Sequence, residues 1–284
     1  MKLVRFGLPG EERPGILDDA GVVRDASGLV QDWSGSALDA AHLSHVSRID
    51  LSLLPEAPKG VRLGSPIRAP GKIVCVGLNY ADHTLETGFE LPREPLIFFK
   101  SPTALSGPFD PIVIPKTADA VDWEVELALV IGGVARNVET EEANAFISGF
   151  AVANDITERE WQFARGGQWS KGKSADTFAP LGPWLVTPDE LPDPLDLRIW
   201  LRKNDQPRQD SRTSKLVFSV GQIIAHLSEF MTLMPGDLIL TGTPYGVAYN
   251  KAEPDYLKQG DVISCGIDGL GSQLCTIHAP MGWR

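Results

Sequence analysis

The segment Trp123-Glu124-Val125-Glu126-Leu127-Ala128-Leu129-Val130-Ile131 sets two glutamates one residue apart in an otherwise apolar run. A stretch this rich in Val, Ile and Leu folds as a largely buried strand. Side chains alternate across a strand, so the spacing places Glu124 and Glu126 on one face and Val125, Leu127 and Leu129 on the other. Two carboxylates side by side in a buried setting repel each other and lose hydration. Either one takes up a proton or a cation sits between them. A solvated edge strand is the plain alternative, because it can carry such a pair to no purpose. The length of the apolar run and a third carboxylate downstream favour a metal site.

That third carboxylate is Asp155. It follows an apolar run at 150–153 and precedes Thr157-Glu158-Arg159-Glu160, whose T-x-x-E form predicts a helix start. Asp155 either caps that helix or joins the two glutamates. Together the three supply oxygen ligands only, which suits Mg²⁺, Mn²⁺ or Ca²⁺ and not zinc. Three protein ligands leave positions for water and substrate, as a catalytic metal needs.

Composition narrows the classes. The 284 residues, 43% of them hydrophobic, suit one large core or one domain with a smaller appendage. No apolar stretch approaches the roughly 20 residues that span a bilayer, and residues 1–7 lack the apolar centre of a signal peptide. Three cysteines (Cys75, Cys265, Cys275) form no C-x-x-C pair, and an odd count argues against a disulfide framework. A cytoplasmic protein is expected, with neither membrane nor nucleic acid as a partner. The formal net charge of -11, with no Lys/Arg run, would repel a polyanion. An acidic protein that handles a small acid needs local positive charge, which a metal ion and a few Lys or Arg residues supply.

Residues 1–68 read as a small N-terminal domain, with strands at 2–6 and 15–17 and a helix near 37–47. Pro55, Pro58, Pro66 and Pro70 lead into a main domain at 69–284. Strands are predicted there at 72–76, 96–100, 121–131, 150–154, 184–186, 195–203, 238–241, 262–267 and 273–277, with turns at Asn204-Asp205 and Asp268-Gly269. A polar segment at 77–86 predicts a short helix capped by Asn79. The strongly periodic helix is 216–230. Strands outnumber helices, and few helices sit at crossover spacing, so the fold class is a β-rich α+β and not a doubly wound sheet.

Three motifs in order resemble those of the fumarylacetoacetate hydrolase family, over residues 71 to about 277. They are Val76-Gly77-Leu78-Asn79-Tyr80-Ala81-Asp82-His83, then Asp122-Trp123-Glu124-Val125-Glu126-Leu127 with Asn154-Asp155, then Thr241-Gly242-Thr243-Pro244-x-Gly246-Val247. Arg165-Gly166-Gly167-Gln168-Trp169-Ser170-Lys171-Gly172-Lys173 and Leu181-Gly182-Pro183-Trp184-Leu185-Val186-Thr187 are similar to the subgroup that hydrolyses 2,4-diketo-3-deoxy sugar acids of the L-rhamnonate and L-fuconate type.

The resemblance implies a mixed β-sandwich roll, a homodimer, and Mg²⁺ or Mn²⁺ held by Glu124, Glu126 and Asp155. It implies a small-molecule 2,4-diketo acid as substrate, cleaved between C3 and C4 to pyruvate and a hydroxy acid such as lactate or glycolate. His83 and Glu86, three apart on one side of a helical turn, are implied as general base and orienting partner; an inert solvated helix is the alternative. Lys173 matches a family lysine on the carbonyl oxygen under attack. Arg159 and Gln162 match substrate-side positions, and Thr243 with the amides of its turn is implied to hold the substrate carboxylate. Relatives of this kind also include isomerases, decarboxylases and hydratases acting on dicarboxylic keto acids. A metal-binding protein without activity is a third class. The His83 and Glu86 pair favours hydrolysis.

Overall fold

Apolar runs become the middle of a large sheet in the computed structural model of this chain. The structure describes residues 1–191, 196–249 and 251–279, with the backbone alone at 83, 85 and 87. Nine strands make the larger sheet. Their spatial order is Val23–Asp25, Arg13–Leu17, Lys2–Phe6, Leu185–Val186, Ile147–Asn154, Val125–Ile131, Leu238–Leu240, Ile73–Gly77 and Leu96–Lys100. All neighbours are antiparallel except Leu238–Leu240 with Ile73–Gly77. Val125–Ile131 and Ile147–Asn154 are buried at every position, as continuous apolar strands at a sheet centre should be.

A second sheet of five strands runs Gln206–Arg212, Arg198–Lys203, Val262–Ile267, Gly271–His278 and Ile112–Val113. It packs against Val125–Ile131 and Ile147–Asn154. Leu127, Leu129, Val152, Ile199, Leu201 and Ile263 belong to one continuous core, each contributing about 1.5–3 kcal/mol by its burial. The buried Gln273 amide stitches the layers, donating to the carbonyls of Val152 (2.8 Å), Pro180 (3.1 Å) and Gly182 (3.2 Å). The fold is the expected β-rich α+β. No described helix is long and apolar enough to cross a membrane. All three cysteines are buried free thiols.

Several boundaries differ from expectation. Lys2–Phe6 pairs with Leu185–Val186, which pairs in turn with Phe150, so the N-terminal strands continue the nine-stranded sheet. The strand expected over 121–131 is split. Val121–Asp122 pairs with Thr157–Glu158, and the central strand restarts at Val125. Because Thr157 is taken by that ladder, the helix expected from it begins at Arg159, with Glu158 as N-cap accepting from the Trp161 amide. Asn79 caps nothing; its amide group bonds the carbonyls of Phe218 and Thr241 and accepts from the Phe218 N–H. The periodic helix starts at Val220, where Ser219 and Gln222 form a capping box. The helix expected at 37–47 is Ala40–Val46, capped by Asp39. The strand expected at 195–203 is seen from Arg198; residue 195 lies outside the described residues.

The turn after Leu238–Leu240 depends on a glycine. Gly246 has φ +103°, and a Cβ there would lie 1.9 Å from the Arg208 carbonyl oxygen. Gly246→Ala is expected to destabilise the protein by more than about 1 kcal/mol, measured as a lowered urea midpoint with an unchanged slope.

Candidate metal centre

The register of the two central strands builds the site. Ala153 stands opposite Glu126 and Asn154 opposite Val125. The ladder closes one step further on, where the Asp155 N–H donates to the Glu124 carbonyl at 2.8 Å. The Asn154 side chain receives the Glu124 N–H at 3.0 Å. Glu124 therefore sits just ahead of its strand, not within it, yet the expected convergence survives. Glu124, Glu126 and Asp155 are all buried, and one carboxylate oxygen from each lies within 4.8 Å of the other two.

Buried cations surround this trio. The short helix Ser170–Lys173 brings the Lys173 ammonium to 2.5 Å from Glu124 Oε2 and 2.7 Å from Asp155 Oδ2. Close approach by Gly172 permits this, since a Cβ there would meet the Glu158 carbonyl oxygen at 2.4 Å. Arg159, first residue of its helix, places Nη1 2.7 Å from Glu124 Oε1 and donates to Gln162 Oε1 at 3.1 Å, one turn on. Burial alone would pull the Lys173 and Arg159 values down. The neighbouring carboxylates, Asp155 and Glu124 for Lys173, Glu124 and Asp122 for Arg159, outweigh it and leave both raised. Both are therefore fixed cations at neutral pH.

Glu126 behaves in the opposite way. Burial first, then Asp155 and Glu124, push its carboxyl well above the usual range, against the pull of Lys173 and the Gly242 N–H, which donates to Oε2 at 2.7 Å. This is the like-charge conflict the spacing foretold, and the protein's own cations leave it unresolved. Hard oxygen donors, their convergence and a carboxyl pushed upward by burial and by its neighbours fit a hard divalent cation.

The other expected site residues are placed as follows. Glu124, Glu126, Arg159, Gln162, Lys173 and Thr243 line one pocket. The Thr243 hydroxyl donates to the Val125 carbonyl (2.9 Å) and accepts from Gln209 Nε2 (2.8 Å), so it is engaged within the protein. Glu86 lies on the helix Ala81–Thr87 and accepts the Gly246 N–H at 2.8 Å, which ties that helix to the Thr-Gly-Thr turn. The backbone of His83 is on the same helix, but its side chain lies outside the described residues.

Two members were not found from the sequence. Lys100, the fully buried last residue of its edge strand, donates to Asp155 and to the Ile156 carbonyl. A lysine ending a strand gives no signal of burial. Asp122 is fully buried and accepts from the amides of Trp123 (2.8 Å), Ala248 (2.9 Å) and Tyr249 (3.0 Å) and from Arg159 Nε (2.9 Å). Its place in the D-x-E-x-E run was the available clue. Removing one member of a buried pair costs about 3–5 kcal/mol, so Asp122→Ala is expected to unfold at markedly lower urea concentration. An unchanged midpoint would refute this placement.

A β-rich fold with a buried acidic centre able to hold a divalent ion, open to a pocket, defines the class. Residues 72–278 match the family described as fumarylacetoacetate (FAA) hydrolase C-terminal. A Burkholderia cenocepacia protein bearing the name "Putative hydrolase" is 49% identical over 281 residues, covering 98% of this chain and 100% of its own. Two solved structures are also similar. One is the fumarylacetoacetate hydrolase from Exiguobacterium antarcticum, 36% identical with a TM-score of 0.87 over 99% of this chain and 100% of that one. The other is the 5-carboxymethyl-2-hydroxymuconate delta-isomerase from Mycobacterium smegmatis, 35% identical with a TM-score of 0.78 over the same shares. The chain belongs to the fumarylacetoacetate hydrolase family, and is an enzyme of that family.

Proposed function

We propose that this enzyme hydrolyses the C3–C4 bond of a 2,4-diketo acid of the acylpyruvate type. Water adds to the C4 carbonyl, the C3–C4 electron pair passes to C3, and C3 takes up a proton. The products are pyruvate and the carboxylic acid derived from the acyl group. The observation that carries this reading is the trio Glu124, Glu126 and Asp155, buried beside two fixed cations at the end of a pocket.

Glu124, Glu126 and Asp155 would hold Mg²⁺ or Mn²⁺, which when bound supplies Lewis-acid stabilisation of charge developing on the C2 oxygen. Lys173 remains protonated, so it acts as a donor to the C4 oxygen and not as a base. Arg159 holds Glu124 in place and keeps the site from excess negative charge. Gln162, positioned by Arg159, faces the pocket as a substrate contact, and Thr243 shapes its wall. His83 is the proposed general base, with Glu86 one turn on to orient it. The resemblance supports a homodimer, checked by light scattering, and makes a 2,4-diketo-3-deoxy sugar acid the reference substrate.

Purified protein with Mn²⁺, incubated with a panel of 2,4-diketo acids, is expected to release pyruvate. His83→Ala is expected to keep metal affinity and lose about 10²–10⁴-fold in turnover; equal turnover numbers would remove His83 from the chemistry. Isomerisation is the second reading, favoured by the similarity to a solved isomerase. Product analysis by NMR separates an isomer from pyruvate and acid.

A further inference from the structure

The pocket is lined by two unlike sets of residues. Its polar residues gather at the acidic centre and are engaged there: Arg159 with Asp122, Glu124 and Gln162, Lys173 with Glu124 and Asp155, Thr243 with Val125 and Gln209. Its wall also carries Phe89, Phe98, Phe163, Trp169 and Tyr249, with the Lys173 ammonium 5.0 Å over the Phe98 ring and the Arg159 guanidinium 5.5 Å over the Tyr249 ring. These rings touch in series. Phe163 is 6.1 Å from Phe89, 5.7 Å from Trp169 and 4.9 Å from Tyr249, and Trp169 is 5.4 Å from Phe98. Phe98 is buried in the core, but the other four are not fully covered. Phe89 is 39% exposed, and Phe163, Trp169 and Tyr249 are only half-buried.

A wall of this kind selects by stacking and by excluding water. Its rings bring two polar atoms, the Trp169 indole N–H and the Tyr249 phenol. A chain with several hydroxyls would leave most of them without partners on entering. A second carboxylate would find no described cation lining the pocket beyond Arg159 and Lys173, both already bonded to carboxylates. A flat neutral group would rest against the ring surface that this wall presents to the pocket.

We infer that the acyl tail of the substrate is neutral, planar and apolar, an aroyl group or a conjugated enoyl group, and not the hydroxylated chain of a sugar acid or a second acid group. Phe163, which touches three of the other four rings, is the main specificity residue. The inference rests on the acylpyruvate reading of the same site, but binding and cleavage test the two separately.

The test uses the full chain with Mn²⁺ and four ligands sharing one head: benzoylpyruvate, acetylpyruvate, fumarylpyruvate and a 2,4-diketo-3-deoxy sugar acid. Calorimetry gives affinity and pyruvate release gives kcat/KM. Benzoylpyruvate is expected to bind at least about tenfold more tightly than the other three, and Phe163→Leu to remove most of that ratio. Tight binding of benzoylpyruvate without pyruvate from any ligand would leave the tail assignment standing and overturn hydrolysis. Preference for the sugar acid or fumarylpyruvate, equal affinities, or a Phe163→Leu variant that weakens all four alike would overturn the tail assignment.

Discussion

Glu126→Gln is expected to remove measurable metal binding and lower turnover by more than about 100-fold, the upper cost of an outer-shell change, while the metal-free protein becomes no less stable. The two effects have one origin. Burial and the neighbouring Asp155 and Glu124 raise the Glu126 carboxyl, so the metal-free fold prefers it neutral. A group raised in this way contributes its full stability below the ordinary carboxylate value. That contribution is lost as pH rises through the raised value. Glutamine is neutral at every pH and keeps an oxygen for the Gly242 N–H. Its advantage in the metal-free state should therefore grow with pH. In the parent protein a metal must displace the proton. Affinity for Mn²⁺ is then expected to increase with pH, with a proton released on binding that appears as a buffer-dependent heat in calorimetry. A heat independent of buffer would show that Glu126 is already ionised.

Lys173→Met is the second large effect. The side chain is buried and bridges Glu124 and Asp155. Methionine fills much of its volume but leaves two buried carboxylates facing each other. Breaking such a pair costs about 3–5 kcal/mol, so the variant should unfold at clearly lower urea concentration. Added Mn²⁺ should return part of that loss, because a cation among the same oxygens again offsets their charge. Turnover should fall about 10²–10³-fold even with metal present, the usual cost of removing a donor to a developing oxyanion. A variant that matches the parent in both urea midpoint and turnover would exclude the pairing and the donor role together.

Legibility varied with the physics behind each element. Val125–Ile131, Ile147–Asn154 and Ile73–Gly77 could be read because central strands are apolar on both faces and leave continuous runs. Gln206–Arg212 was missed; its sequence QPRQDSR carries no apolar alternation, and it is held by its ladder to Arg198–Lys203 and by ion pairs such as Arg198–Asp210. The interruption at Trp123 and Glu124 was invisible because the Val121–Asp122 ladder with Thr157–Glu158 is a tertiary pairing. Carboxylate spacing announced the acidic centre, since like charges in an apolar run demand an explanation. The cations could be assigned only by resemblance, or in the case of Lys100 not at all, because a lysine reads the same whether its ammonium meets water or a buried aspartate.

The arrangement of charge has a consequence for the order of events. Four buried carboxylates, from Asp122, Glu124, Glu126 and Asp155, face three buried cations, from Lys100, Arg159 and Lys173. With Glu126 holding its proton, as the metal-free fold prefers, these charges cancel and nothing in the interior attracts an anionic ligand. A divalent ion that displaces that proton leaves one net positive charge. On the proposed function, ion and anion are expected to bind with positive cooperativity, each raising the affinity for the other by the same factor, as reciprocal linkage requires. Free protein would bind a diketo acid weakly, and free diketo acid in solution would raise the protein's appetite for the ion.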